Sequence, residues 1–396
     1  MTAPSPAPAA QSAALPGGAL LHNAVLRNAG LDMARLAAAL MVVACHGVVL
    51  IFPLYRLAPP LPVVLAGYFG VELFFVLSGL LIGTLLLDVA ATDPTPRGWL
   101  IFMTRRWMRT LPLYYLWLGV LLLVEPPRAD LAGHLLAYGT ATQNLAWPMP
   151  HDEWFNQSWS LTIEEWFYLL FSTALLGAAA LARGRAVAWT VIGAFLLLPL
   201  LFRLLAPPAA DFQRDIYHVA LLRLDAIAYG VALARLRAAG SPLFRHPLAA
   251  FVAGSALIAS FWIQDTTGIW FGPTLAQYRA AQLPGTSIGF CLILVGMMAW
   301  RPGNPVFSKI ITAGSQISYG LYIMHLTIIE QVLYFATLHG YRQTPAVVVA
   351  FLLTFAIPYL TYRWFEAPIL ALRPRQRPGR PSRRRGTAAA DVLVQG

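Results

Sequence analysis

The chain has 396 residues, 58% of them hydrophobic and only 11% charged, against about 25% charged in an ordinary soluble domain, which excludes a soluble globular protein. A formal charge of +11 would suit nucleic acid, but the arginines sit between apolar runs and in the C-terminal tail, a topological pattern rather than a nucleic-acid footprint. The two cysteines, Cys45 and Cys291, both fall in apolar segments and offer neither a disulfide framework nor metal-ligand spacing.

Residues 1–30 are rich in Ala, Pro and Ser and lack the basic and apolar regions of a cleavable signal, so they read as a disordered cytoplasmic lead-in. Apolar runs follow, each judged against the roughly 20 residues needed to span a bilayer. They fall near 32–52, 63–87, 110–124, 159–182, 186–205, 217–237, 247–264, 283–300, 316–338 and 345–366. The segment 131–146 is short and carries His134, Gln143 and Asn144, and it reads as a re-entrant or interfacial helix that does not cross. With ten crossings, most of the 28 Lys and Arg residues fall on the side of both termini, which the positive-inside rule assigns to the cytoplasm. The expected fold class is therefore all-α and polytopic, with a membrane domain over 31–372 and a basic disordered cytoplasmic tail over 373–396.

The first run, LDMARLAAALMVVACHGVVLIF, places Arg35 and His46 in one hydrophobic helix. A charged or titratable side chain there is costly, so it is a functional hypothesis by default. Eleven residues make a little over three turns, which puts the two on one face about 16 Å apart along the axis. Depth within each span places His46, Glu72 and His325 close to the midplane, and Glu164 and Glu165 of NQSWSLTIEEWFY nearer the outer mouth. Together these residues suit proton transfer. Glu72 and His325 also suit a plainer role as hydrogen-bonding glue between helices. Arg223 and Asp225 are two apart on a helix and need separate partners, and Glu366 is placed to pair with an arginine. On the cytoplasmic side, the loop before the third span is expected to end in Arg105, Arg106 and Arg109. Paired guanidinium forks suit phosphate oxygens, although arginines flanking a span are also what topology requires.

The strings LDMARLAAALMVVACHG, GYFGVELFFVLSGLLIGTLL, RRWMRTLPLYYLWL, NQSWSLTIEEWFYLLF, LRLDAIAYGVALA, ISYGLYIMH and YRWFEAPIL, in this order from about residue 28 to 372, resemble the membrane-bound acyltransferase 3 family. Arg35 and His46 fill its arginine, ten residues, histidine signature, and Arg106 and Arg109 fill its arginine, two residues, arginine motif. The resemblance implies transfer of an acyl group, usually acetyl, from cytoplasmic acyl-coenzyme A to a hydroxyl of a glycan or glycosylated molecule. Family acceptors include lipopolysaccharide O-antigen, exopolysaccharide and peptidoglycan. On that reading Arg35, Arg105, Arg106 and Arg109 bind the donor and His46 is general base or acyl carrier. Glu72 and His325 orient or polarise the site, with Glu164 nearer the acceptor, and no metal is involved. Many members carry an extracytoplasmic hydrolase-like domain after the membrane domain. The sequence ends after its basic tail without one, so a relay to such a domain would need a separate protein. The expected location is the bacterial inner membrane. A proton-coupled transporter of a glycolipid or polysaccharide intermediate is the alternative, with the arginines on pyrophosphate and the buried His and Glu coupling protons. A non-catalytic membrane scaffold is a third reading.

Overall fold

The computed structural model describes residues 28–145, 154–182, 184–205, 211–269 and 275–374, so the expected lead-in and most of the tail lie outside the described residues. Among the described residues there are helices and turns and no strand. Eight helical segments are long and apolar enough to cross a membrane by length and composition: Ala29–Tyr55, Leu61–Thr92, Pro96–Val124, Ala186–Leu204, Pro247–Thr267, Ala281–Ala299, Pro305–Leu338 and Gln343–Ala371. Two further expected spans also form helices. Trp159–Leu181 carries Glu164 and Glu165, and Leu224–Ala238 has only 15 residues.

The first helix, α1 (Ala29–Ile51), begins where the Asn28 side chain accepts from the amides of Gly30 and Leu31. Such a cap satisfies amide groups that helix geometry leaves without partners. The Asn28 amide also donates to the Met298 carbonyl at 2.9 Å, which ties α1 to the far end of α9 (Leu275–Ala299). Next come α2 (Leu61–Thr92) and α3 (Pro96–Val124). The Thr95 cap and Pro96 in the first turn start α3 early, so Arg105, Arg106 and Arg109 lie well inside this helix and not in a loop. The expected third span, 110–124, is only its second half.

The short α4 (Leu131–Gly139) has nine residues, about 14 Å of helix, too little to cross. It is followed by α5 (Trp159–Leu181), α6 (Arg185–Leu204) and α7 (Leu224–Ala238). The expected span 217–237 is shorter than anticipated because Phe212–Tyr217 and Ala220–Leu222 are separate turns in front of α7. The bundle is completed by α8 (Pro247–Thr267), α9, α10 (Pro305–Leu338) and α11 (Gln343–Thr361). A π-helical turn (Tyr362–Glu366) and the short α12 (Ala367–Ala371) then bring the chain back against α3.

The two most interior spans are α2 and α10. Against α7, α2 makes backbone contact: a Cβ on Gly79 would lie 2.0 Å from the Ile227 carbonyl oxygen, and one on Gly230 would lie 2.1 Å from that of Val76. Small residues at such crossings let helices approach closely where lipid supplies no hydrophobic drive. On its other side α1 lies along α10, and these two helices run in the same direction.

Candidate functional site

Two side-chain rungs join α1 to α10. At the lower rung Arg35 donates through Nη1 to Asp32 Oδ1 at 3.0 Å and to Ser315 Oγ at 2.6 Å, and Ser315 donates to the same Asp32 oxygen at 2.8 Å. At the upper rung His46 Nδ1 lies 2.8 Å from His325 Nε2, with the rings stacked at 5.0 Å. Eleven residues on α1 match ten on α10, so both helices span the same rise of about 15 Å between the rungs.

Hydrogen-bond chemistry settles the tautomers of the histidine pair. His325 Nδ1 lies 2.9 Å from the carbonyls of both Leu321 and Tyr322, which can only accept, so this nitrogen carries the proton. The lone pair of His325 Nε2 then accepts Nδ1–H of His46. Nε2 of His46 is left with a bare lone pair, the form a general base needs, and the buried His325 orients it.

A cavity of about 840 Å³, counting its open mouth, lies among α2, α3, α5 and α10, with Arg35 of the lower rung in its wall and neither histidine lining it. Arg35, Arg106, Arg109 and Glu164 line one end, and Phe74, Phe75, Leu81, Ile82 and Leu161 form apolar walls. Ser160 and Tyr322 close the other end, their hydroxyls 2.6 Å apart. The Tyr322 carbonyl is one of the two that hold His325, so this end of the cavity adjoins the histidine pair. A second, polar cavity lies on the far side of Arg35 and Arg109. It is lined by Asp32, Ser308, Thr312, Ser315, Gln316 and Tyr362, and both arginines line the two cavities alike. A polar vestibule therefore meets an apolar passage at a partition of guanidinium groups. A ligand with an anionic head and a slender, largely apolar arm matches that sequence of surfaces.

Two arginines of α3, Arg105 and Arg106, are held by neutral oxygens. Arg106 donates through Nη2 to the Tyr168 hydroxyl oxygen at 3.0 Å and lies 4.5 Å above the Tyr168 ring. Tyr168 donates its single proton to Glu164 Oε2 at 2.9 Å, so Ser78, 2.5 Å away, donates to Tyr168. Arg105 donates to the Pro374 carbonyl at 2.5 Å. Nε of Arg106 is buried without a partner.

Of the residues singled out from sequence, Arg35, Arg106, Arg109 and Glu164 come together around one cavity, and His46 meets His325 beyond it. Glu164 shares its cavity end with the arginines rather than standing apart toward the outer mouth, because α5 and α3 pair Tyr168 with Arg106 one turn from it. Glu165 faces away and accepts from Thr110 at 2.6 Å. Glu72 does not reach the histidines. It is fully buried and paired with Arg223, whose guanidinium stacks 4.6 Å from the Tyr217 ring. Asp225 pairs with Arg203 at 2.6 Å. Ser315, Tyr168, Ser78, Tyr322 and Arg373 were not singled out. For Ser315 a signal existed, since its spacing to His325 nearly repeats that of Arg35 to His46.

The fold and this buried arrangement define a multi-pass helical membrane protein with a site inside the bundle. The family profile described as an acyltransferase domain, acyltransferase 3, matches residues 28–363, and the chain belongs to that family. A Bacillus subtilis (strain 168) protein named "Putative peptidoglycan O-acetyltransferase YrhL" is 27% identical over 340 residues, covering 76% of this chain and 50% of that relative. The chain thus spans about half the length of the curated relative it matches. No solved structure matches.

Proposed function

We propose that the protein is an acyl-coenzyme A dependent O-acyltransferase of the bacterial inner membrane, acting on a hydroxyl of a cell-surface glycan. In this reading α5 and α7 join the eight spans that qualify by length and composition to make ten crossings, with both termini in the cytoplasm. The observation that carries it is the pair of rungs between α1 and α10, a guanidinium at one and a base at the other, with an apolar passage that starts at Arg35 and ends at Tyr322, whose carbonyl holds His325. Arg35 and Arg109, which line the polar vestibule, hold the donor phosphates together with the neighbouring Arg105 and Arg106, and the arm extends through the passage to bring the thioester to His46. The name of the Bacillus relative supports a glycan acceptor.

His46 Nε2 takes the proton of the acceptor hydroxyl as its oxygen attacks the thioester carbonyl. The new C–O bond forms, the C–S bond breaks, and the departing thiolate takes the proton back from His46. His325 keeps the imidazole in the required tautomer throughout. Where the acceptor belongs to a partner with its own extracytoplasmic domain, that relay protein receives the acyl group at the same hydroxyl position.

The test uses membranes carrying the wild type or His46→Ala, given radiolabelled acetyl-coenzyme A and a crude lipid-linked glycan extract, with label followed into base-labile ester. Wild type should label glycan, and the variant, at equal protein level, should lose roughly 100- to 10,000-fold of the rate, the usual worth of a general base. If the wild type transfers no label from any acyl donor while a glycolipid still crosses the membrane, the protein is a transporter.

A further inference from the structure

The sequence marks Arg373 as the first residue of a solvated basic tail, but the fold returns it to the arginine cluster of α3. Pro358 in α11, packed 3.0 Å from where a Cβ on Gly320 would stand, precedes the π-helical turn that leads to α12, and both this turn and α12 lie against α3. Beyond α12 the amide of Arg373 bonds back to Leu370, and the next carbonyl, that of Pro374, accepts from Arg105. Nε and Nη2 of Arg373 are buried with no hydrogen-bond partner, as is Nε of Arg106. Burial, with Arg109, Arg106 and Arg105 close by, brings the Arg373 guanidinium down to about 10. Half-buried guanidinium groups gathered together, with some of their donors buried and open, repel one another unless an anion joins them.

We infer that Arg373, with Arg105, binds a phosphate group at the outer edge of the donor site, and that this group is the phosphate monoester on the ribose of coenzyme A. The inference rests on the donor reading above. Its position follows from the order of charges along α3. Arg109 borders the apolar passage where the arm starts, and there the donor's diphosphate belongs. Arg105 lies one turn, about 6 Å, further toward the start of the helix, where the ribose end of the nucleotide belongs. The C-terminal segment then acts as a clasp that distinguishes the phosphorylated donor from its dephosphorylated form. An anionic lipid headgroup offers similar phosphate chemistry, but the free Arg373 donors are buried within the protein.

The experiment uses the full chain, wild type, Arg373→Gln and Arg373→Lys, in nanodiscs of phosphatidylcholine with and without phosphatidylglycerol. Each is assayed with acetyl-coenzyme A and with 3′-dephospho-acetyl-coenzyme A. Wild type should lose about 10- to 100-fold in kcat/KM on removal of the phosphate, the worth of one hydrogen-bonded charge pair. Arg373→Gln should show that loss with acetyl-coenzyme A, match wild type with the dephosphorylated donor, and express the effect in KM; Arg373→Lys should recover part of it. An equal loss on both donors overturns the inference in favour of a structural role, and an effect that follows phosphatidylglycerol regardless of donor overturns it in favour of lipid. Stabilisation of the detergent-solubilised wild type by adenosine 3′,5′-bisphosphate, weakened in Arg373→Gln, is read alongside. If this appears and no acyl transfer does, the phosphate site stands and the transferase reading fails. If neither appears, the phosphate site is overturned.

Discussion

Two groups of arginines sit on opposite sides of α2, the α7-side group buried and the α10-side group half-buried, and they are built differently. On the α7 side Arg223 meets Glu72 and Arg203 meets Asp225, each guanidinium with one carboxylate. Among the described residues on the α10 side only Arg35 has a carboxylate at ion-pair distance, Asp32, while Arg105 and Arg106 are held by a carbonyl and a phenol and Arg373 has open donors. A buried charge matched one to one has its counter-charge in contact, even where Nε and Nη1 of Arg223 and Nε of Arg203 lack hydrogen-bond partners, so it serves as architecture, fixing where α7 begins against α2. Arginines supplied only with neutral partners are incomplete, and the cavities on either side of the neighbouring Arg35 and Arg109 leave room for an anion. The lesson is that burial of a charge in a membrane bundle does not by itself mark a site; the state of its partners does.

Removing a charge should therefore have opposite consequences in the two groups. The largest effect is expected for Arg223→Met, which strands Glu72 in the core and should cost about 3–5 kcal/mol of stability, read as loss of monodisperse protein in detergent. The double variant Glu72→Leu with Arg223→Met should recover most of it, and failure to recover would mean that the pair does more than brace α7. Next comes Arg109→Gln. It relieves repulsion with its neighbours, so the melting temperature should hold or rise while KM for acetyl-coenzyme A climbs about 10- to 100-fold. A fall in melting temperature matching that of Arg223→Met would erase the distinction between the two groups. The smallest effect belongs to Tyr168→Phe, which keeps the ring over which Arg106 lies and deletes only the hydroxyl. Of the hydroxyl's three hydrogen bonds only the one from Arg106 touches the donor arginines, and at about 0.5–1.5 kcal/mol for that bond KM should rise roughly 2- to 10-fold with little change in kcat. A large kcat effect would place Tyr168 nearer the chemistry than Arg106.

Much of the site was legible in advance because it is local. The face shared by Arg35 and His46 follows from helix periodicity within one segment, and so does the i, i+3 pair Arg106 and Arg109. Glu72 and Glu164 were misplaced for a common reason: depth counted along a single span takes no account of which neighbouring helix a residue faces. Glu72 points toward α7, and Glu164 is level with the arginines because α5 and α3 meet at Tyr168 and Arg106.

What the sequence by itself determined is the class of fold, an apolar polytopic bundle, together with the family and the axial spacing of its signature residues. These depend on composition and on a repeat of 3.6 residues, which any one segment carries alone. Only the tertiary structure decided that His46 has His325 as its partner, 279 residues away, that Asn28 is fixed to Met298, and that Arg373 belongs to the arginine cluster rather than to the tail. Those pairings arise from side-chain fit and backbone approach between helices remote in sequence, such as Gly79 against Ile227, which no single helix specifies.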